Sequence, residues 1–383
     1  MTPPALPLSG WADAQLRAIG ALGGAVSGLS GAMLMGERAA GKGWCVPGAV
    51  SAGGGCRLYP TRDGHVALTL ARDDDRAMLP ALFQDSELDP DDAAQVAAAF
   101  RAGDAAALVA QGRMLGLAIA RTGEQPVSPA CQISAQGLAK DRSGPPLVVD
   151  LSALWAGPLA AHLVGLAGAR AVKVESRNRP DRMRDGDPPL FARINGGKDN
   201  VAIDLRDATD RTALLALIAR ADVVVEAARP RALRQWGIDG DALVRAVPGL
   251  VWVTITGHGV VGDAGDWIGF GDDCSVAGGL TDALAAAGGS VGFGGDACAD
   301  PLTGIYAAHL ALAQLRDGRG ARMILSMSGV IAKALDSERR RDDKALMKQM
   351  QPWSAAQGRP FPAVVARAGG VVAAMGKDTA TWT

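Results

Sequence analysis

Leu147-Val148-Val149-Asp150-Leu151-Ser152-Ala153-Leu154-Trp155-Ala156-Gly157-Pro158 passes from a short aliphatic run, through a polar turn, into a helical segment at 157–168. The same alternation then repeats. Aliphatic runs at 171–175, 201–205, 222–226, 250–256 and 322–326 are separated by helical patterns, notably 208–220 and 301–316. Strands that read as unbroken apolar runs are buried on both faces, which a parallel sheet covered by helices requires. We therefore expect an α/β fold, a Rossmann-like parallel sheet domain over 147–383, ending in an irregular tail of some twenty residues.

Upstream the pattern differs. A strand at 64–70 precedes alanine-rich helical patterns at 76–84 and 91–119, the mark of a smaller α+β domain with an N-terminal helical segment over 1–142. The turn-forming run Lys140-Asp141-Arg142-Ser143-Gly144-Pro145-Pro146 separates the two. With 48% hydrophobic residues, the 383-residue chain has enough apolar material for two cores. Acidic and basic residues nearly cancel, 40 against 39, so no global field recruits nucleic acid or an anionic membrane.

Several chemistries are disfavoured by what the first turn lacks. There is no G-x-G-x-x-G after 147–151, and Trp155 and Pro158 would obstruct a pyrophosphate there, which argues against nicotinamide chemistry. No G-x-x-x-x-G-K-[ST] loop occurs either, and no G-x-S-x-G follows one of these aliphatic strands as an elbow would. Cys45, Cys56, Cys131, Cys274 and Cys298 are odd in number and lack C-x-x-C spacing, which fits a reducing cytoplasm better than a disulfide framework. His65, His162, His258 and His309 show no metal-ligand spacing, and no metal site is expected; His258 reads as a loop residue. The uncharged stretch 18–36 holds six glycines and reads as a buried small-residue segment, the rival being a weakly hydrophobic membrane helix.

Taken in order, a set of short pieces resembles class III acyl-CoA transferases of the CaiB/BaiF type. The opening 148–158 leads to Leu166-Ala167-Gly168-Ala169-Arg170-Ala171-Val172-Lys173-Val174-Glu175, then Asn195-Gly196-Gly197-Lys198 before 201–205. There follow Ala221-Asp222-Val223-Val224-Val225-Glu226 with Arg229-Pro230, Val253-Thr254-Ile255-Thr256-Gly257-His258-Gly259, Gly269-Phe270-Gly271-Asp272, and Ala299-Asp300-Pro301-Leu302-Thr303-Gly304, then Gly318-Arg319-Gly320. Tyr59-Pro60-Thr61-Arg62-Asp63-Gly64-His65 is similar to the start of the family's small domain, which in most relatives follows the catalytic segment; here its order reads as permuted to the N-terminus. The resemblance implies an enzyme that moves CoA from an acyl-CoA donor to a free carboxylic acid, with CoA as substrate and no resident cofactor. It also implies a cytoplasmic homodimer, interlocked in relatives.

By the same resemblance Asp300 is the nucleophile, forming an aspartyl anhydride and then an aspartyl-CoA thioester. The plain alternative is that Asp300, followed by Pro301, caps a helix. Asp296 and Asp272 are the nearby competitors. Implied CoA contacts are Arg177, Arg206, Arg229 and Arg234 after three of the strands, with Ile203 at the end of 201–205. Arginines in such places also serve merely as solvated surface. Trp155 is a candidate to pack on adenine or pantetheine, or else is core. The chain departs from the family in having Ala227-Ala228 where Asn-Phe is frequent, and Phe270 where racemases carry histidine, which disfavours racemisation. A Gly-rich covering loop is also missing. A CoA-binding subunit of a paired transferase, with little or no catalysis of its own, stays as the second reading.

Overall fold

The computed structural model describes residues 4–141, 143–228 and 230–383, without the side chains of Pro230 and Arg231. Ten strands form two sheets. β1 (Cys56–Pro60), β2 (His65–Thr69) and β3 (Ala118–Arg121) make a small antiparallel sheet. The large sheet holds β4 (Cys131–Ala139), β5 (Leu147–Asp150), β6 (Arg170–Ser176), β7 (Asp199–Ile203), β8 (Val223–Glu226), β9 (Val251–Thr256) and β10 (Arg319–Ser326), in the order β4-β10-β9-β8-β5-β6-β7. All neighbours pair in parallel except β4, which lies antiparallel on β10. From β7 to β10 this is the doubly wound order, with its reversal between β5 and β8, and a crevice forms at the carboxyl ends of the strands there. The expected α/β fold with a Rossmann-like sheet is the fold observed, because β8 and β9 are buried almost throughout.

The separation at 142/147 does not match how the cores divide. Helices Ser9–Ala21 and Gly31–Gly41 bury Trp11, Leu16, Ile19, Leu34 and Met35 in one cluster with Leu159, Leu302 and Ile305 of the large unit. Two short helices cannot bury an apolar stripe alone, and this stripe finds its partner on the sheet's helical layer. β4 likewise lies within the first 142 residues yet belongs to the large sheet. What remains as a separate unit is the three-stranded sheet with helices Ala93–Ala102 and Ala105–Met114, packed around Val66, Leu68, Phe100 and Leu108. Its other face packs on Val276, Ala277 and Phe293, so it backs directly onto helix Gly271–Ala277.

The stretch 18–36 spans the end of one helix, a turn, and the start of the next, with Ser30 Oγ capping Met33 N at 3.2 Å. No helix among the described residues is long and apolar enough to cross a membrane. The end of the chain is irregular but docked. Gly376 N donates to Asn200 Oδ1 at 2.6 Å, Asn200 N to Asp378 Oδ2 at 2.9 Å and Ala202 N to Thr379 Oγ1 at 3.1 Å, so it covers the outer edge of β7.

Candidate active site

Asp300 is the second residue of helix Ala299–Asp317, whose N-cap is Cys298. The capping alternative is thereby displaced: Asp300 sits in the first turn, and its carboxylate turns towards other segments. The backbone N–H groups of Ala156 and Gly271 lie at it. Each belongs to the first residue of a helix, Ala156–Gly165 and Gly271–Ala277. The carboxylate thus stands where three helix N-termini meet, a setting that favours negative charge. Burial pushes the other way and dominates. It raises the Asp300 pKa to about 6, against the opposing pull of Arg38 and of the Ala156 amide, while the neighbouring Asp296 adds to the rise and the Gly271 amide opposes it.

The approach at Gly271 is close. A Cβ there would lie 2.3 Å from Asp300 Oδ2 and 2.5 Å from the Ala297 carbonyl oxygen. Two non-glycine residues beside the site, Leu154 and Ala297, take left-handed backbone angles of 66° and 44°. Such strain persists only where surroundings over-determine it. Around Leu154 they do: its N–H donates to Asp181 Oδ1 at 3.2 Å, and Asp181 pairs with the buried Lys173, which also donates to the Ser152 carbonyl at 2.8 Å. Lys198, equally buried, holds Asp150 Oδ2 at 2.7 Å and the Pro158 carbonyl at 2.9 Å. These buried networks fix the turn after β5 and with it the Ala156 amide.

Arg38, from the N-terminal helix Gly31–Gly41, is the cation of the site. Its guanidinium grips the buried Asp296 in a two-pronged pair, with Nε at 2.7 Å from Oδ2. It lies over the Trp155 ring at 4.4 Å and near Trp44 at 5.6 Å. Asp272 accepts from Ala297 N at 3.0 Å; burial, with Asp296 beside it, raises its pKa to about 7. Asp272, Asp296 and Asp300 are thus gathered around one arginine. Arg38 carries no local signature in the sequence, since its partner is 258 residues away.

The expected CoA contacts fare unevenly. Trp155 is 2% exposed and its face is taken by Arg38, so the core alternative holds and no face is left for a ligand ring. Ile203 is 3% exposed and packs in the core beneath the sheet; only its carbonyl, accepting from Arg177 N at 2.8 Å, is engaged at the strand end. Arg177, Arg206 and Arg234 do lie on the surface past the carboxyl ends of β6, β7 and β8, each against local acid: Arg177 on Asp210 at 2.8 Å, Arg206 on Asp204 at 2.7 Å, Arg234 near Asp239 at 3.7 Å. Arg229 lies outside the described residues. Arg234 also lines a shallow surface dip with Glu226, Trp252 and Arg322, which Asp300 does not border.

The doubly wound sheet agrees with the family comparison. The chain belongs to CoA-transferase family III, whose model matches residues 146–379. Among curated proteins it is similar to a succinyl-CoA–D-citramalate CoA-transferase of Chloroflexus aurantiacus, 32% identical over 35% of each chain. It is also similar to an acetyl-CoA:oxalate CoA-transferase of Acetobacter aceti, 28% identical over 47% of this chain and 49% of the relative. A third is the beta subunit of a succinyl-CoA–L-malate CoA-transferase of C. aurantiacus, 31% identical over 45% and 46%. The chain therefore spans between about a third and a half of the length of these relatives.

Proposed function

We propose that this chain transfers CoA from an acyl-CoA to a free carboxylic acid, with Asp300 as the covalent nucleophile. The observation that carries the reading is the convergence of three helix N-termini on the Asp300 carboxylate at the crevice of the sheet. An Asp300 oxygen attacks the thioester carbonyl; the C–S bond breaks, giving a mixed anhydride and CoA thiolate. The thiolate then attacks the aspartyl carbonyl and releases the donor's carboxylate, leaving an aspartyl-CoA thioester. An acceptor carboxylate opens that thioester, and the thiolate's attack on the new anhydride's acceptor carbonyl yields the product and restores Asp300. No net proton is consumed, so the cycle requires no general base. Amides at Ala156 and Gly271 and the Arg38 guanidinium supply donors for the negative charge that shifts among oxygens in each step.

CoA enters as substrate, its phosphates met by Arg177, Arg206, Arg229 and Arg234, and the working unit is a cytoplasmic homodimer. The segment before residue 146, outside the family match, holds the small sheet as a permuted counterpart of the family's small domain. Incubation with acyl-CoA followed by hydroxylamine or borohydride should mark Asp300 by mass spectrometry, and Asp300→Ala should lose at least about 10³-fold in turnover. Full activity in Asp300→Ala removes the proposal. A second reading, a CoA-binding subunit of a paired enzyme, is favoured by the similarity to a protein named as a beta subunit. Turnover by the purified chain alone decides against it.

A further inference from the structure

Helix Gly271–Ala277 carries, beside the residues that meet Asp300, a second group of side chains that the transfer chemistry does not use. His258 Nε2 lies 4.0 Å from Asp273 Oδ2 and 4.0 Å from Cys274 Sγ, and Sγ lies 3.9 Å from Oδ2. The triangle is closed to solvent: the three residues are 3%, 0% and 0% exposed. A point equidistant from corners about 4.0 Å apart lies about 2.3 Å from each (4.0/√3). That is the Zn–S bond length and within a few tenths of an ångström of roughly 2.0–2.2 Å for Zn–N and Zn–O.

The surroundings fit ligation. Asp273 Oδ1 accepts from Thr69 Oγ1 at 2.8 Å and from Phe270 N at 3.0 Å, which aims Oδ2 at the other two corners in the way outer-shell partners orient a metal-binding carboxylate. The His258 ring is held edge-on by Trp267, with centroids 5.7 Å apart. Cys274 Sγ donates to the Gly257 carbonyl oxygen at 3.3 Å, which orients the sulfur. The Gly269 backbone packs closely on one flank, where a Cβ would lie 2.5 Å from Sγ and 2.9 Å from Nε2. Sulfur, imidazole and carboxylate together suit zinc better than calcium or magnesium.

We propose that His258, Asp273 and Cys274 bind one zinc ion as a three-ligand structural site. The thiol loses its proton to solvent on binding, and thiolate plus carboxylate neutralise the ion's two charges. The ion ties three parts together: the loop after β9, the helix that supplies the Gly271 amide, and, through Thr69, strand β2 of the small sheet.

The test uses the full chain, stripped with a chelator and titrated separately with Zn²⁺ and Co²⁺. The proposal expects one equivalent bound, a thiolate-to-cobalt charge-transfer band, and a higher thermal midpoint with zinc. Cys274→Ser and His258→Gln should lose the band. Thr69→Val should keep the stoichiometry and weaken affinity by roughly 10–100-fold. Asp273→Asn, nearly isosteric, serves as a third ligand variant if either of the first two fails to fold, and Cys45→Ser removes the exposed thiol as a source of uptake. Absence of uptake by the folded parent overturns the proposal. So does uptake undiminished in a folded Cys274→Ser, His258→Gln or Asp273→Asn chain, which would leave only the hydrogen-bonded cluster.

Discussion

Replacing Gly271 with alanine adds one methyl group at the most crowded point of the candidate site. The new carbon would stand 2.3 Å from Asp300 Oδ2, 2.5 Å from the Ala297 carbonyl oxygen and 2.7 Å from Ala297 Cβ. Carbon–oxygen contacts are comfortable only above about 3.2–3.5 Å, so the carboxylate, the backbone or both must move by about 1 Å. Ala297 has little freedom to give way, since its backbone angle is already left-handed and its N–H is held by Asp272. Displacing a reacting group by about 1 Å costs on the order of 10²-fold, or about 2.7 kcal/mol of barrier. Overpacking adds about 1–3 kcal/mol of destabilisation. The assay is kcat/KM for CoA transfer beside urea unfolding of the same preparation. A fall of about 10²-fold in a variant that is still folded is expected. If Gly271→Ala is folded and keeps kcat/KM within threefold of the parent, the reasoning that sets this amide against Asp300 is refuted.

Three further outcomes follow from the same geometry. Asp300 has its pKa raised from 3.8 to about 6, so its charged form is disfavoured by folding; the cost is absent below about pH 4 and develops as pH rises through 6. Asp300→Asn should therefore be inactive yet more stable than the parent by about 1–3 kcal/mol at pH 8, an advantage that shrinks at pH 4 in urea titrations, and kcat/KM of the parent should fall as pH drops below 6. Arg38→Met leaves Asp296 buried without its partner, costing about 3–5 kcal/mol in unfolding free energy. Because Arg38 holds the Asp300 pKa down, the acid limb of the pH–rate profile should also move upward in that variant. If Arg177 and Arg206 meet the CoA phosphates as proposed, Arg177→Gln and Arg206→Gln should each raise KM for acyl-CoA about 3–10-fold with little change in kcat, the loss partly offset by release from Asp210 and Asp204.

What could be read in the sequence was what burial had written there. Strands β5 to β10 stand out because both faces are covered along most of their length and each contains a short apolar run. β4 does not, since as an edge strand it leaves Ile133 52% and Leu138 63% exposed and carries a mixed pattern. Helix Met327–Ser354 escapes for a related reason: its middle, Ser337 to Lys344, is almost wholly charged and lacks an apolar stripe. The order of pieces singles out Asp300, whereas the amides at Ala156 and Gly271 and the arginine at 38 belong to tertiary structure alone. Trp155 and Ile203 are singled out by the same logic as the arginines, yet both side chains are buried. Being near the end of a strand puts a residue by the crevice, but packing decides whether its side chain faces the crevice or the core.

Glu37, next to Arg38, is wholly buried and clasped by Arg367, which donates its N–H and its guanidinium to the carboxylate across 330 intervening positions. During synthesis at about 5–20 residues per second, roughly a quarter of a minute to a minute separates the two. Until residue 296 is made the helix bearing Arg38 lacks both its clasp and Asp296, and until residue 367 it still lacks the clasp. The active centre is thus among the last things the ribosome makes possible, and a chain that stops short of residue 367 leaves the helix that presents Arg38 unclasped.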